Sequence, residues 1–158
     1  MHPKLTAALT KIRDEINQEY GFYEGIPRIN YGPCGVFAHI FFHTWNRLFR
    51  PPVHICFVMT PSRDECDHVC LVLPSGELYD GGIGLHTRQE YEPQFVVDDM
   101  VLYDEALLDK WSYGLNRTYP RFCPQFNCDR VTQIVASNLE GLLLRNQGSR
   151  DLTAWLQS

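Results

Sequence analysis

The sequence predicts an α+β fold, and three patterns carry that prediction. Apolar residues recur at helical spacing over residues 5–20 and again over 130–145. Residues 36–49 are strongly apolar and too long for one strand, which predicts a buried helix. Residues 53–59 alternate as a strand does, and Pro74-Ser75-Gly76 joins two further strand patterns as a tight hairpin.

Size and composition set the frame. The chain has 158 residues, of which 44% are hydrophobic and 21% charged, as expected of one globular domain over residues 1–158. A net charge of −5 without a basic cluster argues against nucleic acid as a partner. There is no membrane-length apolar run and no secretory leader pattern, so a cytoplasmic location is expected. In that compartment the six cysteines would be reduced thiols, and the match at Asn116-Arg117-Thr118 to a glycosylation acceptor would carry no meaning.

The elements follow in order. The first helix buries Leu5, Ala8, Leu9, Ile12 and Ile16 and stops at Gly21. Gly25-Ile26-Pro27 predicts an irregular, extended approach to Cys34. Gly32-Pro33 turns the chain sharply, so Cys34 falls at the first turn of the helix over 36–49, which Arg50-Pro51-Pro52 ends. Strands are expected over 53–59, 68–73 and 77–80. A three-residue hairpin loop sets Leu73 opposite Glu77 and Cys70 opposite Asp80, which makes His68 and Asp80 diagonal neighbours on one face. Residues 81–84 read as a flexible glycine run and 85–93 as loop. Short edge strands are expected over 95–97 and 100–103, with Asp98-Asp99 as a charged turn. Asp104 caps a short helix to residue 111, and 113–127 reads as an ordered surface segment. Asp129 caps the helix over 130–145, and a last turn over 151–156 docks Leu152, Trp155 and Leu156.

The chemistry centres on Cys34. A free thiol is only a few per cent ionised at neutral pH, and the thiolate is the nucleophile. A helix N-terminus and a neighbouring imidazolium both favour the thiolate, and His68 is the candidate for that imidazolium. Asp80 would hold the ring and favour its charged form. Developing negative charge on a substrate oxygen needs donors. The Cys34 backbone N–H is one, since the first helical turn has no acceptor for it. Asn30 is a side-chain candidate and Tyr31 a weaker one; Gly35, Gly81 and Gly82 complete the oxyanion and substrate set. Gly81-Gly82 would leave room for a substrate chain or bend the strand. Taken singly, a cysteine by a helix or a histidine on a strand reads as structural. Their combination with an acid at the end of the hairpin reads as a Cys-His-Asp triad.

Other clusters read as structural. His39 and His43 share a helix face, but a zinc-protease motif needs Glu where Ile40 stands. On a regular strand Cys66, His68 and Cys70 point to one face in a line, a poor tetrahedron, and Cys123 and Cys128 lack a zinc knuckle's spacing. No metal and no organic cofactor is expected. Tyr23, Trp45, Trp111, Tyr113 and Tyr119 are candidates for cleft walls.

The motifs Gly32-Pro33-Cys34-Gly35, His68-Val69 and Leu78-Tyr79-Asp80, in that order, resemble the papain-like cysteine hydrolase superfamily, in particular its transglutaminase-like and NlpC/P60-like branches. The resemblance spans residues 30–84. It implies a cysteine-bearing helix packed on an antiparallel sheet and acyl transfer through a thioester, with Cys34 as nucleophile, His68 as base and Asp80 as orienter. It departs from the family in lacking a glutamine just upstream of Cys34 and a tryptophan beside it. The substrate would be a protein or peptide, attacked at an amide, isopeptide or glutamine side chain; hydrolysis, deamidation and transglutamination all remain open. The alternative is a non-catalytic inhibitor or adaptor that keeps the fold and binds a partner. Oligomeric state is not legible.

Overall fold

Helix α1 (Pro3–Tyr20) forms where the first apolar stripe was expected, and its start is set by chemistry just outside that stripe. The His2 ring nitrogen accepts the Lys4 N–H at 3.1 Å, and Pro3 occupies the first turn, where a missing N–H does no harm. Gly21, at φ 70°, ends it in a conformation that favours glycine. The computed structural model describes residues 1–112, 123 and 125–158. The expected surface segment, the glycosylation match, Tyr113 and Tyr119 therefore lie wholly or mostly outside the described residues.

The approach to Cys34 is more regular than expected. Strands β1 (Phe22–Tyr23) and β2 (Ile26–Pro27) pair as a small hairpin, and Arg28–Asn30 adds a 3₁₀ turn. Helix α2 (Cys34–Leu48) then buries Phe37, Ala38, Phe41, Trp45 and Leu48 along one face. The Asn46 amide fixes its exit: Oδ1 accepts the Val53 N–H at 2.9 Å and Nδ2 donates to the Val53 carbonyl at 3.2 Å.

A five-stranded sheet follows, built from β3 (His54–Met59), β4 (Cys66–Val72), β5 (Leu78–Tyr79), β6 (Leu85–His86) and β7 (Val96–Met100). The spatial order is β6–β5–β4–β3–β7 and every pairing is antiparallel. The fold is thus mixed α+β. Leu71 pairs with Tyr79 and Val72 with Leu78, and the Leu73 N–H donates to the Glu77 carbonyl, so the hairpin has the register its loop predicts. The expectation of a straight β4 fails. Met59 pairs with Cys66 while Val58 pairs with His68, so Asp67 is the extra residue of a β-bulge. Cys66 accordingly packs against the core on the helix side, while Cys70 joins Cys56, Val58 and Leu78 in a second buried layer.

Three more expectations are corrected. The two edge strands are one strand, β7, and Asp98 and Asp99 lie within it; their charges pair with Arg63 at 2.8 Å and Arg88 at 2.6 Å, which removes the need for a turn. Residues 85–93 are not all loop, since β6 extends the sheet and Arg88–Glu90 forms a 3₁₀ turn closed by a capping box. Helix α4 (Cys128–Arg145) is capped by Asn127, whose Oδ1 accepts the Arg130 N–H at 3.0 Å; Asp129 falls in its first turn, where a carboxylate still meets the positive helix end.

Helix α3 (Glu105–Ser112) begins at Asp104, whose carboxylate accepts the Leu107 N–H. The short α5 (Thr153–Gln157) buries Leu156 behind a buried Leu152. The main core lies between α1, α2, α4 and the sheet face that carries Ile55, Phe57, Val69, Leu71 and Tyr79. The opposite sheet face is covered by Tyr91, Phe95 and Val97.

Candidate active site

Cys34 is the first residue of α2, and its half-buried side chain lies in a cleft of about 550 Å³. The Pro33 carbonyl accepts the N–H groups of Val36 and Phe37 at 3.0 Å, which starts the helix at the cysteine. The cleft is also walled by Ile26, Tyr31, His68, Ile83, Tyr91 and Trp111.

The sheet supplies the partners. His68 Nε2 lies 2.9 Å from Asp80 Oδ2, and both side chains are buried. Nε2 is engaged by the carboxylate, and the same ring lies beside Cys34, close enough for its charge to act on the thiol. Burial alone would raise the Cys34 pKa. The His68 charge, the hydrogen bond to its ring and the Val69 N–H outweigh burial and lower it. The effect on His68 is the mirror image. Burial disfavours its charge, but the sulfur and Asp80 together push its pKa well above the ordinary imidazole range. Asp80 is buried too, yet the His68 hydrogen bond and charge, with the Asn30 amide, hold it well below the usual carboxylate range. The arrangement therefore stabilises thiolate beside imidazolium.

Asp80 is fixed by its other oxygen. Oδ1 accepts the N–H groups of Gly82 at 2.8 Å, Ile83 at 2.7 Å and Gly84 at 3.4 Å, with Asn30 Nδ2 at 3.1 Å. The glycine run expected to be flexible is thus a tight nest around a carboxylate. Its glycines are also packing requirements. A Cβ on Gly81 would stand 2.8 Å from the Phe37 ring, and one on Gly82 would stand 2.5 Å from Pro27 Cβ.

The structure brings Cys34, His68 and Asp80 together. It gives Asn30 a different place from the one expected. Its amide lines the cleft but donates to Asp80, so it supports the carboxylate rather than facing an oxyanion. Tyr31 lines the cleft and packs against Tyr23 with ring centroids 5.0 Å apart. Gly81 and Gly82 are buried behind the triad, filled by Phe37, Pro27 and Asn30, and leave no room for a substrate chain. Gly35 meets α3: a Cβ there would lie 2.0 Å from Ser112 Oγ, so the glycine allows α3 to close one cleft wall.

Of the expected aromatic walls, Trp111 lines the cleft and Trp45 is wholly buried in the core. His39 and His43 lie outside the cleft, both near the Tyr103 hydroxyl at 3.1 Å and 3.3 Å. Among the described residues no cluster of three or more His, Cys, Asp or Glu side chains is arranged to hold a metal. No helix among them is long and apolar enough to cross a membrane.

Sequence reasoning missed Tyr91, His86 and Asp67. His86 and Tyr91 were hidden in a stretch read as loop. Asp67 reaches the cleft only because of the bulge. Comparisons of the chain with protein-family models, with curated proteins and with solved structures find no match.

Proposed function

We propose that the protein is a papain-like cysteine hydrolase or acyl transferase, with Cys34 as nucleophile, His68 as acid and base, and Asp80 as orienter. The observation that carries the reading is the buried 2.9 Å His68–Asp80 contact, with Cys34 at a helix start in the same cleft as that ring. Thiolate attack on an amide carbonyl forms a tetrahedral oxyanion. The Cys34 N–H, a donor of the first helical turn with no acceptor within the helix, would stabilise it. That attack makes the C–S bond; collapse of the oxyanion re-forms the carbonyl of a thioester and breaks the C–N bond, while imidazolium gives its proton to the departing amine. Water or an amine then attacks the thioester, His68 takes the proton from it, and the thiolate leaves. No step requires a metal or organic cofactor. The substrate is a protein or peptide whose amide, isopeptide or glutamine side chain enters the cleft between Ile26, Tyr31, Tyr91 and Trp111. A reducing cytoplasm suits the reading, which needs Cys34 as a thiol.

Alkylation with iodoacetamide, followed by peptide mass spectrometry, tests the nucleophile. Cys34 is expected to react fastest of the six sulfurs near neutral pH. Cys66 lines the same cleft, but burial and the neighbouring Cys34 sulfur push its thiol up to about 12, which makes it an internal control. Assays for new termini, ammonia release and amine incorporation then identify the bond, and all three activities are expected to vanish in Cys34→Ala. Equal labelling of Cys34 and Cys66 would remove the catalytic reading and leave a partner-binding protein on this fold.

A further inference from the structure

Behind the triad lies a second buried imidazole that the chemistry above does not use. His86 is 5% exposed and sits in β6, one strand beyond the hairpin that carries Asp80. Its Nδ1 is 2.8 Å from the Gly84 carbonyl oxygen. A carbonyl oxygen only accepts, so Nδ1 carries a proton. Its Nε2 is 3.1 Å from the Tyr91 hydroxyl and 3.9 Å from Asp80 Oδ2, the oxygen that holds His68. The Tyr91 ring lies near both imidazoles, 5.7 Å from His86 and 6.4 Å from His68, and also lines the cleft.

We infer that His86 and Tyr91 are positioning residues that reserve Asp80 Oδ2 for His68, a role that rests on Cys34, His68 and Asp80 acting as a triad. With Nδ1 donating to Gly84, neutral His86 presents an Nε2 lone pair, and the Tyr91 O–H donates to it. Nε2 then has no proton to offer Oδ2, and the ring closes that side of the carboxylate to water. Removing the Tyr91 hydroxyl leaves two acceptors facing each other across 3.9 Å. A proton taken up on Nε2 relieves that clash and lets His86 donate to Oδ2 in competition with His68. His68 then loses part of what stabilises its charge, and the Cys34 thiolate loses with it. The other titratable groups facing this corner are Glu90, Cys56 and Cys70 around Tyr91, with Arg88 committed to Asp99.

The test is the pH profile of Cys34 alkylation by iodoacetamide, a probe small enough not to depend on the cleft wall. Tyr91→Phe is expected to move the midpoint upward by about half to one pH unit, a roughly three- to tenfold slower reaction on the acidic side. In a His86→Asn background, which keeps a short donor toward Gly84, the same change is expected to add no further shift. A midpoint that Tyr91→Phe leaves in place or lowers overturns the inference, as does an equal shift with and without His86. The wild-type protein gives an independent reading through ¹⁵N imidazole spectra. At about pH 8 the His86 signals are expected to report Nδ1–H with a lone pair on Nε2. An Nε2–H tautomer overturns the inference whatever the variants do. Failure of the triad itself would be distinguishable, because wild-type Cys34 would then show no lowered midpoint while the His86 tautomer stayed as described.

Discussion

Asp80 carries more of the site than its single negative charge suggests. One oxygen is saturated by three backbone N–H groups and an amide, and the other is left for an imidazole. Asp80→Asn would swap a carboxylate for a neutral group in a nest of donors. Turnover is expected to fall by about a hundredfold to ten-thousandfold, with the midpoint of Cys34 alkylation moving up. The same residue sets an acid limb of stability. Its folded pKa is depressed, so its contribution is present above the ordinary carboxylate value of about 3.9 and is lost as pH falls through the lower folded value. Urea midpoints measured along an acid series are expected to drop in wild type and to stay flatter in Asp80→Asn. At this scale the sequence was informative where residues sit in regular neighbours. His68 and Asp80 could be placed together because a three-residue loop fixes the hairpin register. Asn30 could not be placed, because its choice between Asp80 and an oxyanion depends on where a 3₁₀ turn ends.

Among the elements, α3 is the one whose position rests on a single missing side chain. Its last residue, Ser112, lies over Gly35, and a Cβ at 35 would meet Ser112 Oγ at 2.0 Å and its Cα at 3.1 Å. Gly35→Ala is expected to destabilise by about 1–3 kcal/mol and to push Trp111 out of the cleft wall, read as a lower urea midpoint and altered tryptophan fluorescence. Ser112→Gly in that background is expected to recover much of the loss. The helices were legible because their apolar stripes are long and their caps local, although Asn127 rather than Asp129 caps α4. The bulge in β4 was not legible. Alternation continues through residues 66–70 in the sequence, and the extra residue shows itself only against the partner strand. The strand β6 escaped notice because two residues carry no detectable period.

At the scale of the whole molecule, both sheet faces are covered and distant segments are tied to the exit of α2. Arg50 exchanges backbone bonds with Arg150 at 2.7 Å and Leu152 at 2.8 Å, and His2 stacks on Trp155 with centroids 4.5 Å apart. The α+β class followed from the sequence since it needs only the kinds of element present. The sheet order did not, because β7 pairs with the far side of β3, three strands away from β6. The second buried layer has a practical consequence. Cys56 and Cys70 face each other with sulfurs 3.3 Å apart and no exposed surface, and Cys123 is equally hidden. Short pulses of alkylating reagent at rising urea are expected to modify these three together, at the global transition; earlier modification of Cys56 and Cys70 alone would mean that the segment carrying Tyr91 and Phe95 lifts off the sheet by itself. The chain thus carries two clocks in one kind of atom. Three sealed sulfurs count how often the fold opens, and under the proposed chemistry the one at the helix start counts how often its neighbour imidazole strips it of a proton.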